Sequence, residues 1–275
     1  MKPSKPEYGE LYGNIPSVRW GTGDKKMLIF AGGPGNTLPS PFVIRSFYRE
    51  FDPFTQAYTL YFVTRKKGQP QGYSTRDMSN AYAEMIQKDF GGRVDVVIGV
   101  SFGGMIAQHF AADHPGLFDH IVIALAAHKV SETGRKIDTR FARLLSQGKT
   151  RSGFAALVDA LYPPGISRSL YKAAFWLMGG ILLGQKHETY ENDVLVEAQA
   201  EVTHDALDSL ARIKVPVLII CGGADVYFPR EYVKEMAGLI QGASLKIYEG
   251  KGHVGALEDE AFAKDIFAFI GSQKA

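Results

Sequence analysis

One stretch constrains this chain more than any other: Gly99-Val100-Ser101-Phe102-Gly103. An apolar run over 94–100 leads into it, and a helix-like segment over 102–112 leads out. Strand, tight turn and helix in that order put a serine at the turn. Its backbone is then strained and its hydroxyl stands above the sheet. Gly99 and Gly103 flank it because helix and strand pass too close for Cβ atoms. The five-residue pattern alone recurs by chance in a glycine-rich chain. Its setting makes it a nucleophile elbow.

Other apolar runs fall into register with that reading. Strands are expected over 27–31, 58–63, 121–127, 215–221 and 244–248, after an opening hairpin over 8–20 that turns at Gly13-Asn14. Helices are expected between them. One covers 41–51. Another starts at Ser74 with Asp77 three residues later, carries Met78, Tyr82, Met85 and Ile86 at helical spacing, and ends at Gly91-Gly92. The last carries Phe262, Ile266, Phe269 and Ile270 on one face, with Glu258, Asp259 and Glu260 in its first turn. Such alternation predicts a mainly parallel sheet with helices on both faces. It breaks once, between His128 and about Asp205, where only helical patches occur. The simplest account is a helical cap inserted after the sixth strand. The core is then 1–128 and 206–275, and the cap 129–205.

A serine hydroxyl needs a base to take its proton, and histidine suits that role near neutral pH. His109, His114, His120, His187 and His204 read as solvated or structural. His253 lies in Gly250-Lys251-Gly252-His253-Val254-Gly255, between the last strand and the last helix. In a parallel sheet that loop emerges at the same edge as Ser101, and three glycines predict an exposed, unencumbered ring. The base needs an acid to fix its tautomer. Asp225, in Gly222-Gly223-Ala224-Asp225 after the strand over 215–221, is preferred to Glu132. Donors for a developing oxyanion are assigned to the amides of Phe102 and Gly33, the latter in Gly32-Gly33-Pro34-Gly35.

Composition excludes more than it selects. A formal charge of +2 over 275 residues demands no nucleic acid. No histidine pair has metal-ligand spacing, and the Gly32–Gly35 stretch lacks the Lys-Ser/Thr of a phosphate loop, so neither a metal site nor a phosphate loop is expected. Cys221, the only cysteine, reads as a buried strand thiol. The stretch MKPSKPEYGE has no apolar signal core, and the apolar run over 173–184 is too short to span a bilayer. A cytoplasmic protein is expected, its oligomeric state open to a homodimer.

Together these residues resemble the α/β-hydrolase superfamily, over nearly the whole chain. The resemblance implies an eight-stranded sheet, a cap after strand six and no cofactor. Ser101, where dehalogenases and epoxide hydrolases carry aspartate, points away from those activities. A carboxylic ester hydrolase acting on a small-molecule ester through an acyl-enzyme is the expectation. Ala31-Gly32-Gly33-Pro34-Gly35 also resembles the His-Gly-Gly-Pro-Gly loop of proline iminopeptidases, with Ala31 in place of the histidine and a different elbow. An aminopeptidase would need cap carboxylates for a substrate ammonium; Glu188, Glu191, Glu197 and Glu201 fit that need or a solvated helix face. A non-catalytic hydrolase-fold receptor is a further alternative. In the cap, the run from Ala173 to Leu183 lacks polar spacing and is expected to be buried or to face something apolar. Either it is plain core, or Phe175, Trp176 and Met178 line an acyl pocket under a lid flexing at Gly179-Gly180.

Overall fold

In the computed structural model, which describes residues 5–33, 35–47, 49–162, 166–182 and 184–272, the chain forms eight strands in one sheet. Pro34, Leu183 and the first residues of the N-terminal stretch lie outside the described residues. The strands are β1 (Glu7–Leu11), β2 (Ile15–Gly21), β3 (Lys25–Phe30), β4 (Tyr58–Val63), β5 (Val94–Val100), β6 (Phe118–Ala124), β7 (Val217–Gly222) and β8 (Ser244–Tyr248). Their order is β1-β2-β4-β3-β5-β6-β7-β8. β2 runs antiparallel to both neighbours, and every pairing from β4 to β8 is parallel.

The helices are α1 (Pro41–Phe47), α2 (Thr75–Asp89), α3 (Phe102–Asp113), α4 (Glu132–Ser146), α5 (Thr150–Leu161), α6 (Ile166–Leu182), α7 (Tyr190–Val202), α8 (Leu207–Leu210), α9 (Arg230–Leu239), α10 (His253–Leu257) and α11 (Ala261–Ser272). Strand β7 shows why both sheet faces are covered. Val217, Ile219 and Cys221 join the core under α2, α3 and α9, while Leu218 and Ile220 join the opposite one under α11. Period-two side chains that are all apolar need a layer on each face. Helix α2 starts where its capping box predicts: Ser74 accepts from the Asp77 amide, and Asp77 accepts from the Ser74 amide.

Some boundaries differ from the sequence reading, each for a local reason. The helix expected over 41–51 ends at Phe47, and a 3₁₀ segment, Arg49–Phe54, carries the chain past Pro53. The strand expected over 121–127 is β6, which stops at Ala124 because Leu125 takes a positive φ of 56°. The acids expected in the last helix's first turn precede it instead, and Asp259 Oδ1 accepts from the Ala261 amide at 3.0 Å. Between β6 and β7 come α4–α7. Phe141, Ala142 and Leu145 of α4 pack with Tyr190, Val194 and Ala198 of α7 as a small core of their own. Among the described residues no helix is long and apolar enough to cross a membrane.

Candidate active site

Ser101 joins β5 to α3 at φ 55° and ψ −117°, outside the regions L-residues prefer. Neighbours hold it there. Its amide donates to the Ala124 carbonyl at 2.9 Å, and its own carbonyl accepts from the Gly104 and Met105 amides. The flanking glycines are sterically required. A Cβ at Gly99 would lie 2.6 Å from Ala107 Cβ, and one at Gly103 only 2.0 Å from the Phe30 carbonyl oxygen.

Three residues far apart in sequence meet at this turn. His253 Nε2 lies 3.0 Å from Ser101 Oγ, and His253 Nδ1 lies 2.7 Å from Asp225 Oδ2. With a carboxylate accepting at Nδ1, that nitrogen carries the proton and Nε2 is free to accept from the serine hydroxyl. Asp225 is itself oriented: its Oδ1 accepts from the Tyr227 and Phe228 amides. The imidazole lies against both of those rings, with centroids 5.1 and 5.8 Å away.

One sequence expectation fails here. His253 is not an exposed loop residue; it opens α10 and is 6% exposed. The cause is the close contact of two loops. The Ala224 amide donates to the Lys251 carbonyl, and a Cβ at Gly222 would sit 2.4 Å from that same oxygen. The loop after β8 is thereby pressed onto the loop after β7, and His253 is carried inward. Burial works against a charge on this ring, but the attraction and hydrogen bond of Asp225 outweigh it, so the imidazole's pKa stands above the ordinary histidine value.

Gly32 packs against the nucleophile, where a Cβ would be 3.1 Å from Ser101 Cβ. Gly33 takes a positive φ of 65°, and Phe102 opens α3, where the first amides lack intrahelical acceptors. Below this loop is a residue the sequence reading missed. Arg65, two residues past the end of β4, is buried, and its guanidinium donates to the Ala31, Gly33 and Gly35 carbonyls at 2.9, 2.6 and 2.8 Å. It also pairs with Glu197 of α7 at 2.7 Å, with side chains 1% and 0% exposed. Its place directly after β4, at the sheet edge of Ser101, was the available clue.

The acids and histidines sort clearly. Glu132 is exposed and pairs with Lys136, leaving Asp225 as the acid at the ring. Glu188 is exposed and Glu191 pairs with Lys186, but Glu197 and Glu201 are buried, so a solvated face does not describe them. Asp138 of α4, also buried, accepts from the Tyr227 hydroxyl at 2.8 Å. Burial pushes the Asp138 carboxyl up to about 7 and raises that of Glu201, with which it interacts. Among the described residues Asp138 Oδ2 and Glu201 Oε2 have no hydrogen-bond partner. His109, His114, His187 and His204 are structural, bonded to Ser209, Asn80, Asn36 and Thr75. Cys221 is buried in β7, and burial pushes its thiol up to about 12. Among the described residues no group of three or more His, Cys, Asp or Glu side chains is arranged to hold a metal ion.

The apolar run of α6 is not buried as expected: Leu177 is 67% and Trp176 43% exposed. Arg151 stacks over the Trp176 ring, and Phe175 meets Tyr162 edge-on. Gly179 and Gly180 lie inside the continuous helix rather than at a hinge. A Cβ at Gly179 would be 2.9 Å from Arg151 Cα, so this glycine serves the α5–α6 contact.

Comparison with known proteins places the fold. The model of the alpha/beta hydrolase family matches residues 28–265. No curated protein matches the chain. Among solved structures, the enol-lactonase from Burkholderia xenovorans LB400 is 18% identical, with 96% of this chain and 100% of that chain covered and a TM-score of 0.70. A thermophilic esterase from Thermogutta terrifontis is 15% identical, with 99% and 100% covered and a TM-score of 0.72. A bromoperoxidase from Bacillus anthracis is 17% identical, with 96% and 100% covered and a TM-score of 0.72. At these identities the likeness is one of fold.

Proposed function

Because the chain belongs to the alpha/beta hydrolase family, we propose that it is a serine hydrolase that cleaves carboxylic esters through an acyl-enzyme. The observation that carries this is the linear set Asp225 Oδ2, His253 Nδ1, His253 Nε2 and Ser101 Oγ, at 2.7 and 3.0 Å. Ser101 Oγ attacks the ester carbonyl as His253 Nε2 takes its proton. The Phe102 and Gly33 amides receive the oxyanion. His253 then gives the proton to the leaving alkoxide, and in the second half it deprotonates the water that releases the acid. Asp225 holds the ring's tautomer and stabilises the imidazolium.

Residues 129–205 act in this reading as a lid on the core of 1–128 and 206–275. Phe175, Trp176 and Met178 are proposed to receive the acyl chain. Phe175 is linked to the histidine only through intermediates: its partner Tyr162 follows Leu161, whose carbonyl would be 3.9 Å from a Cβ at Gly252, the residue before His253. The test is a panel of p-nitrophenyl esters of rising chain length, acyl thioesters and aminoacyl p-nitroanilides. Fastest turnover on esters is expected. Turnover on none of the three classes refutes the reading, and a single retained acyl group identifies a receptor instead.

A second reading, an aminopeptidase, is supported by Glu201, whose Oε2 is buried without a partner. Arg65 occupies Glu197 and Lys186 occupies Glu191, so of the cap glutamates Glu201 is the one suited to a substrate ammonium. Preference for aminoacyl anilides, lost in Glu201→Gln, selects this reading.

A further inference from the structure

Among the described residues no hydrogen bond or ion pair joins Arg65 or Glu197 to Ser101 or His253, yet both are buried and, apart from Arg65 Nε, fully bonded. The loop from Ala31 to Gly35 must present an amide to the substrate, which requires its carbonyls to turn the other way. A run of carbonyls turned inward needs buried donors. Arg65 supplies them, fanning three hydrogen bonds to Ala31, Gly33 and Gly35. One guanidinium face also lies 5.1 Å from the Phe102 ring centroid. The same cation therefore touches both segments that carry the proposed oxyanion donors. Glu197 completes the set from the other side. Its Oε2 accepts from Arg65 Nη2 and from the Gly35 amide, and its Oε1 accepts from Gln69 Nε2. A lone buried guanidinium is costly, so the carboxylate from α7 is what makes Arg65 tenable there.

We propose that Arg65 and Glu197 are positioning residues for the oxyanion hole, so that lid helix α7 takes part in building it. The inference rests on the ester-hydrolase reading for its kinetic test and on the loop geometry for its structural one. The lid is then more than a cover. The loop holds its working shape only while α7 is seated and Glu197 reaches Arg65. Lysine cannot replace arginine, because an ammonium cannot span three carbonyls and a carboxylate in one plane.

The test uses the full chain with Glu197→Gln and Arg65→Lys, and Asp193→Asn as comparator. Asp193 is also a buried acid of α7, but it accepts from Asn36, Gly68, Gln69 and Thr189 and not from the loop over 31–35. On p-nitrophenyl acetate, E197Q and R65K should lower kcat by roughly ten- to a hundredfold with KM within about twofold. Affinity for a trifluoromethyl ketone, whose adduct needs the hole, should fall by the same factor. Amide hydrogen exchange over 31–35 should quicken in both. In Asp193→Asn, kcat and that exchange should hold at the wild-type values. Should E197Q fail to fold, R65K, which keeps a charge beside Glu197, carries the test alone. Unchanged kcat and exchange in a folded R65K overturns the proposal, as does an equal kcat loss in Asp193→Asn. Exchange that quickens in a protein hydrolysing no ester keeps the positioning role and refutes the ester reading.

Discussion

Helices α6 and α7 both lie between β6 and β7 and follow opposite rules. α7 carries four acids and buries three of them, Asp193, Glu197 and Glu201. α6 is mostly apolar and leaves Ile166, Leu170, Trp176 and Leu177 exposed. Hydropathy ranks the two the wrong way round. Partners explain the inversion. The loops after β3 and β4 turn backbone amides, a guanidinium and the Asn36 and Gln69 side chains towards α7, and carboxylates satisfy them better than any apolar residue could. The described contacts of α6 are with α5 and the tail after it, where Gly179 and Phe175 pack, and its outer face meets solvent. Between β6 and β7 the chain is thus held by charge along α7 and left apolar on the exposed side of α6.

The comparison means something for catalysis only if Ser101 is the nucleophile, and that carries the largest expected effect. Ser101→Ala should lose about 10⁵- to 10⁶-fold in kcat and all labelling by a fluorophosphonate, with the fold intact. His253→Ala should cost nearly as much. Labelling that persists in Ser101→Ala moves the nucleophile elsewhere, and α7 then anchors a loop with no catalytic duty.

Next in size is the contrast in stability. Removing the Asp193 side chain leaves the Gln69 backbone amide without its acceptor, and takes one bond each from the Gly68 amide and the Asn36 side-chain amide, which keep Thr189 Oγ1 and the Lys66 carbonyl. At about 1–3 kcal/mol for the buried donor left unpaired and about 1 kcal/mol for each of the two other bonds lost, Asp193→Ala should cost about 3–5 kcal/mol in urea unfolding. Leu177→Ser, on the exposed side of α6, should stay within about 0.5 kcal/mol. Equal losses would erase the distinction between the helices.

How the sequence read follows the same line. The central strands were legible because a parallel sheet buries them on both faces and they are almost wholly apolar, as Val94–Val100 and Val217–Gly222 illustrate. Ser101 was legible because close approach leaves a covalent mark, glycine, at positions 99 and 103. Asp225 and His253 followed from their place after β7 and β8. Arg65 and Glu197 were not legible, since a charge without a visible partner reads as solvated and the partner is more than a hundred residues away. The burial of His253 was hidden for a similar reason: it depends on two loops meeting, which no local pattern records.

Titration separates the site from its anchor. Burial opposes charge on His253, and Asp225 overcomes that, so its folded pKa lies above the usual value. The base must be neutral, so esterase activity should rise with pH through a midpoint above about 6.5. Asp193 behaves oppositely: burial alone would raise its carboxyl, but hydrogen bonds from Asn36, Gln69, Gly68 and Thr189 outweigh it and hold it below the usual range. A depressed carboxyl contributes stability above the unfolded value of about 4, lost as pH falls through the folded one. Acid unfolding should therefore be shallower in Asp193→Asn than in wild type. A rate profile flat from pH 5 to 8 in the folded protein removes His253 from the base role.

The smallest effect tests the outer helix itself. If Phe175, Trp176 and Met178 receive the acyl chain, each added methylene gains at most about 0.8 kcal/mol, roughly fourfold in kcat/KM. Trp176 is 43% exposed beneath Arg151, so it covers a chain only in part, and about twofold per methylene is the reasonable expectation. kcat/KM should climb from acetate towards medium-chain esters, and Trp176→Ala should flatten the climb while leaving acetate hydrolysis and urea stability near wild type. The anchored side predicts the reverse pattern, since Glu197→Gln should depress every ester by one common factor. A Trp176→Ala profile shifted equally at all chain lengths would assign α6 to packing against α5 alone, and the acyl chain would then have to lie along the inner, charged face of the lid.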